Sequence, residues 1–252
     1  MSSLQTIASF LDRELDVADW PDASHNGVQV ENSGRVRRVC CGVDASMDFF
    51  EQAARRRADL LVCHHGLSWG DSLKRITGLN YRRLKFLLEH DMALYACHLP
   101  LDAHPRLGNN AGIAKGLSLQ KRKPFGLYNG REIGIRGELP RRTAFATLVK
   151  RVQALLGQAV AVMDFGKTTV RTVGVISGGA ADEIAEAAAL GLDVYISGEP
   201  KLTAYHLARE HGIHAIFGGH YATEVFGVRA LADLLARRCA VQAEFIDMNV
   251  PY

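Results

Sequence analysis

The sequence predicts an α/β protein with mostly buried sheets. Short apolar runs of the length and composition of buried strands recur along the chain, at residues 60–63, 93–97, 173–176 and 194–196. Between them lie segments of about ten residues whose apolar positions repeat at helical spacing. The composition is ordinary for a globular chain of 252 residues: 48% hydrophobic, 23% charged, with 24 Gly and 7 Pro, so disordered and fibrous architectures are excluded.

The elements follow in order. Leu4, Ile7, Ala8, Leu11 and Leu15 share one helical face, predicting a helix over residues 3–15. Residues 36–43 form an apolar, β-branched strand, and Ser46 can cap a helix over 47–56. A strand at 60–63, a helix at 80–90, a strand at 93–97 and a helix at 109–117 complete the first half. The basic stretch Lys121-Arg-Lys-Pro124 reads as a linker. Beyond it, strands are expected at 131–139, 160–163, 173–176, 194–196, 215–217 and 241–246. Helices fit at 144–156, 182–190, 203–211 and 223–236. Two α/β domains are therefore expected, 1–124 and 125–252, with the last helix and strand free to pack back on the first.

Thirty Lys+Arg against 27 Asp+Glu leave a net charge of +3, too small to imply nucleic-acid binding. The basic clusters Arg35/Arg37/Arg38, Arg55-Arg-Arg57 and Lys121-Arg-Lys123 read as helix-end and surface charge; without interleaved aromatics they support a nucleic-acid partner poorly. No run approaches the roughly 18 apolar residues of a membrane span. The first fifteen residues lack a basic secretory start, and the five cysteines form no CxxC pair, so a cytoplasmic protein with buried reduced thiols is expected.

Histidine placement carries the chemistry. His64 and His65 follow the apolar run 60–63, His98 follows 93–97 with Asp102 four residues on, and His220 follows 215–219 with Glu224 four residues on. All stand where strands leave a sheet, the edge at which open α/β sheets bind ligands. Imidazole and carboxylate without thiolate suit zinc, manganese or iron. Adjacent histidines on a strand are expected to diverge, each serving a separate ion of a pair. His220 and Glu224 share a face if a helix starts there. Ser177-Gly-Gly179 reads as a plain turn or, less simply, a phosphate cradle.

The strings Asn26-Gly-Val-Gln-Val30, Val43-Asp-Ala-Ser46, His64-His-Gly-Leu67, Tyr95-Ala-Cys-His-Leu-Pro-Leu-Asp102, Gly108-Asn-Asn110, Ser197-Gly-Glu199 and Gly219-His-Tyr-Ala-Thr-Glu224 together closely resemble the NIF-three-like family, whose members carry the label GTP cyclohydrolase 1 type 2 homologue. The resemblance runs from about residue 20 to the C-terminus. It implies two similar, interlinked α/β domains with mixed sheets and a metal site at the strand ends between them. It implies two divalent ions per chain, held by His64, His65, Asp102, His220 and Glu224, with His98 and Glu199 as positioning or substrate-facing groups. It implies a dinuclear metal-dependent hydrolase of a nucleotide or other small anion, with itself as partner in a toroidal homohexamer. The alternative is a non-catalytic metal-binding or regulatory ring, associated with nucleic acid.

Overall fold

The computed structural model describes residues 2–252. A two-residue strand β1 (Ser2–Ser3) leads into α1 (Leu4–Leu15), whose first turn is capped by Ser3 Oγ accepting the Thr6 N–H at 3.1 Å. β2 (Gly27–Val30) and β3 (Arg35–Val36) precede β4 (Arg38–Asp44), and the strand expected at 36–43 is thus broken at Arg37. Ser46 caps α2 (Met47–Arg55), as its position after the strand suggests. Then come β5 (Leu60–His65), α3 (Gly78–Glu89), β6 (Ala93–Ala96), α4 (Leu99–Ala103) and α5 (Asn109–Gly116). β7 (Gln120–Tyr128) and β8 (Arg131–Ala144) form a long antiparallel pair ahead of α6 (Phe145–Leu156). β9 (Ala161–Met163), β10 (Thr169–Val175), α7 (Ile184–Ala189), β11 (Val194–Ser197), α8 (Leu202–His211) and β12 (His214–Phe217) follow. The chain ends with α9 (His220–Arg238) and β13 (Gln242–Phe245).

The protein is α/β, with two mixed sheets in two compact units. The first unit comprises the chain up to Leu101 together with Gly227–Met248. Its five strands run in the order β13-β4-β5-β6-β2, parallel except for β2, which lies antiparallel on β6. Phe49, Phe50 and Ala53 of α2 pack with Leu61 and Cys63 of β5, Leu87 of α3 and Ile246 in one core. Burying each such large side chain contributes about 1.5–3 kcal/mol.

The second unit comprises Asp102–Phe226 and Asn249–Tyr252. Its six strands run β7-β8-β10-β11-β12-β9, with β10, β11 and β12 parallel. Its core joins Ala111, Ile113 and Ala114 of α5 to Leu148 and Val152 of α6 and to Val173, Val194 and Ile216 of the sheet. This packing sets the division at Leu101/Asp102 rather than near residue 124.

Residues 121–124 are not a linker. They lie in β7, where Lys123, Pro124 and Phe125 pair with Arg136, Ile135 and Gly134. β7 is an edge strand, which explains how charge and proline are accommodated in it. All five cysteines are free and buried, and among the described residues no helix is long and apolar enough to cross a membrane.

Candidate metal centre

In the first unit, β5 carries both adjacent histidines as its final residues. His64 is fully buried, and its Nδ1 lies 3.0 Å from the Cys97 carbonyl oxygen. A carbonyl only accepts, so Nδ1 carries a proton and donates, which leaves Nε2 as the outward-facing nitrogen of the ring. The same logic governs the other two imidazoles. His65 Nδ1 lies 2.8 Å from Asp44 Oδ1, at the end of β4, and His98 Nδ1 lies 2.9 Å from Asp22 Oδ1. Anchoring one ring nitrogen on an oxygen acceptor fixes the tautomer and aims the other nitrogen, the usual arrangement of ligating histidines.

Ring nitrogens of His64, His65 and His98 lie within 4.8 Å of one another. The adjacent pair does not diverge: the two ring centroids are 4.6 Å apart. The chain leaves the strand at Gly66, where a Cβ would run into the Gln29 side chain and Ala96, and bends at Leu67. Gln29 Oε1 accepts the N–H groups of Leu67 and Ser68 at 2.7 and 3.0 Å, which fixes that bend.

His98 is held by a network that begins far away in sequence. Its N–H donates to Asn26 Oδ1 at 2.8 Å, and Asn26 Nδ2 donates to Asp22 Oδ2 at 3.0 Å. The Asp22 side chain is only 2% exposed. Burial alone would raise its pKa, but His98, Asn26 and the Ser24 N–H outweigh burial and bring it down to about 2. Trp69 closes one side of the cluster. Its Nε1 donates to the Gly66 carbonyl at 2.8 Å, and its ring meets His98 edge-on at 4.8 Å.

In the second unit, Asp102 on α4 is 6% exposed and Glu224 on α9 is 2% exposed. Their carboxylate oxygens lie within 4.8 Å of one another. Two buried carboxylates this close repel unless a proton or a cation compensates them. Asp102 Oδ1 accepts from Asn109 Nδ2 at 2.8 Å and from Ser177 Oγ at 2.9 Å. His220 opens α9 and meets Glu224 one turn on, Nε2 to Oε1 3.2 Å, while its Nδ1 lies 2.6 Å from Glu199 Oε1. Burial would lower the His220 pKa, yet Glu224 and Glu199 prevail and raise it to about 9. An ion at Nε2 must displace that proton.

The turn Ser177-Gly-Gly179 is scaffold rather than phosphate cradle. The Ser177 N–H is taken by Asn110 Oδ1 at 2.7 Å and the Gly178 N–H by Thr223 Oγ1 at 3.1 Å. Gly178 has φ +67°, and a side chain there would strike the Glu224 carboxylate. Ser177 thus orients Asp102 while Gly178 leaves room for Glu224.

Four of the remaining histidines have local structural partners. His25 Nδ1 pairs with Ser68 Oγ, His90 stacks on Phe86, His104 Nδ1 accepts the Arg106 and Leu107 N–H groups, and His214 stacks on Phe145. Asp22 and Trp69 were invisible to sequence reasoning. Asp44 and Asn109 stand in the recognisable strings and Ser177 in the glycine turn, but nothing in those stretches assigns them to a histidine or a carboxylate. Imidazole nitrogens in one unit and imidazole with carboxylate in the other are donors that zinc, manganese or iron accepts. The residues present therefore fit a divalent metal ion.

Comparison with known proteins agrees with these motifs. Residues 2–251 match the family model described as Duf34/NIF3 (NGG1p interacting factor 3). A Deinococcus radiodurans protein called GTP cyclohydrolase 1 type 2 homolog is 43% identical, over 96% of this chain and 91% of its own. One of the same name from Archaeoglobus fulgidus is 41% identical over 98% of both. The solved structure of protein ybgI, described as of unknown function, superposes with TM-score 0.94 at 35% identity, covering 99% of this chain and 100% of that one. TTHA1606 from Thermus thermophilus does so with TM-score 0.90 at 35% identity and the same coverage. This chain belongs to the DUF34/NIF3 family.

Proposed function

We propose that the protein is a metal-dependent hydrolase of a small anionic substrate, a nucleotide in the first instance, in which His64, His65, Asp102, His220 and Glu224 hold two divalent ions. The observation that carries the reading is the anchoring of His64 and His65 through Nδ1, to the Cys97 carbonyl and Asp44, which orients both rings with Nε2 as the ligating atom. The closely spaced buried carboxylates of Asp102 and Glu224 support it from the other unit. When bound, the ions would supply Lewis acidity and bring water within reach of deprotonation near neutral pH.

The chain's own residues have distinct tasks. Asp102 and Glu224 offset about half the charge of two divalent ions, so the site stays positive and favours an anionic group or a developing oxyanion. Glu199 orients the His220 ring. His98, held by Asp22, stands beside the ligating histidines as a substrate-facing or proton-handling group. Trp69 offers a flat apolar face suited to a base. Relatives named GTP cyclohydrolase 1 type 2 homolog make GTP the first nucleotide to test.

Hydrolysis of a nucleotide panel by chelated and reconstituted protein tests the reading. Activity should vanish on chelation and return with manganese, zinc or iron. Asp102→Asn should abolish it, whereas Cys63→Ala should retain most of the rate, because burial pushes the Cys63 thiol well up and leaves no thiolate nucleophile. Full activity in the chelated protein contradicts the hydrolase reading. Ions retained with no substrate turned over favours a metal-binding scaffold. We further propose self-association into a toroidal hexamer, supported by the family resemblance; a monomer by light scattering contradicts it.

A further inference from the structure

We propose that a groove on the second unit is a binding site for phosphoryl oxyanions, separate from the histidine and carboxylate clusters. Pro140, Arg141, Arg142 and Thr143 at the end of β8, with Thr147 and Arg151 of α6, line a cavity of about 680 Å³. No acidic side chain lines it. Residues 139–163 contain no Asp or Glu but four cations, Arg141, Arg142, Lys150 and Arg151. The nearest acid in sequence, Glu138, is already taken by Lys121 and Arg171, each at 3.0 Å. Among the described residues, no ion pair engages Arg141, Arg142 or Arg151. The positive charge facing the groove is therefore uncompensated.

The groove is also shaped. Arg151 is half-buried, and its Nη2 donates to the Leu117 carbonyl at 2.7 Å, which holds the guanidinium in place. Thr143 Oγ1 donates to the Arg141 carbonyl at 3.1 Å, bending the segment that carries the two exposed arginines. α6 starts beside them with no acidic residue in its first turn, so its dipole adds to the same sign. Guanidinium groups match phosphate oxygens in a two-pronged fashion, and threonine hydroxyls add donors. The volume falls within the range of pockets that take whole small ligands, enough for more than one phosphoryl group.

The first unit supplies a contrast. Its groove lined by Arg37, Arg38 and Arg57 also contains Asp59, whose carboxylate accepts the Arg37 and Arg38 N–H groups at 2.7 and 2.9 Å. A carboxylate placed among the arginines makes that groove the poorer anion site.

Pyrophosphate is the probe, titrated calorimetrically into the full-length chain after chelation, so that ions at the histidines do not compete for it. Arg141 and Arg142 are exposed, and R141E/R142E should keep the wild-type melting temperature. That variant should weaken binding by at least about tenfold, with the wild-type affinity falling as salt rises. R37E/R57E should stay within about twofold of wild type. A short single-stranded oligonucleotide and a nucleoside triphosphate, used as competitors, distinguish the source of the phosphates: stronger displacement by the former assigns them to nucleic acid, by the latter to a nucleotide. No pyrophosphate binding, or equal loss in the two double variants, overturns the proposal.

Discussion

Replacing Asp22 by Asn removes a charge on which His98 depends. Asp22 is surrounded by donors: the Ser24 and Leu99 N–H groups at 3.0 Å each, Asn26 Nδ2 at 3.0 Å and His98 Nδ1 at 2.9 Å. An asparagine turns one acceptor oxygen into an amino group that faces those donors. The fall of the carboxyl pKa from 3.8 to about 2 corresponds to about 2 kcal/mol of folding stability. Because the folded value lies below the unfolded one, this contribution is fully present above 3.8 and is lost as pH falls toward 2. Urea unfolding with chelator present, at about pH 7 and in steps down to about pH 3, is the assay. Asp22→Asn should unfold about 2–3 kcal/mol more easily at neutral pH, with the gap closing on acidification. A variant as stable as wild type at neutral pH, or a gap that ignores pH, refutes the electrostatic account of this network.

Asp44→Asn should lower metal affinity by about 10–100-fold with little change in fold, because it weakens the anchor of His65 Nδ1; competition with a chromogenic chelator measures this. Gly178→Ala should destabilise the chain by at least about 1–2 kcal/mol, since φ is +67° and the new methyl collides with Glu224; thermal unfolding checks it. Asp193 is held below the ordinary carboxylate range: burial opposes this, but the Thr172 and Arg171 N–H groups prevail. Asp193→Ala should therefore cost about 1–3 kcal/mol in chemical unfolding at neutral pH, and less as acid protonates the native carboxylate.

Much of the fold was legible because buried parallel strands are locally apolar. Residues 60–63 and 93–97 announce β5 and β6, and the histidines that end or follow them could be placed from sequence alone. β7 was not legible: an edge strand keeps its outer face wet, so Lys121, Arg122 and Lys123 carry no apolar signature. β2 was missed for a related reason, being four residues long and antiparallel on β6, with Val28 exposed. α9 starts at His220 rather than near 223 because its first turn follows directly on the Gly218-Gly219 exit from β12. At the candidate site, the side chains with ligating chemistry announce themselves by type. Their supports do not, because Asp22 reaches His98 across 76 residues and Ser177 reaches Asp102 across 75. Such pairings arise from tertiary packing and leave no local pattern to read.

The most direct test of the central claim is the metal content of the full-length chain, measured by elemental analysis after reconstitution and removal of loose ions. Wild type should retain two divalent ions per chain, and His65→Ala and Glu224→Gln should each retain fewer while keeping the wild-type circular dichroism spectrum. Wild type without stoichiometric metal, or both variants with wild-type metal content, contradicts the assignment of these residues as ligands.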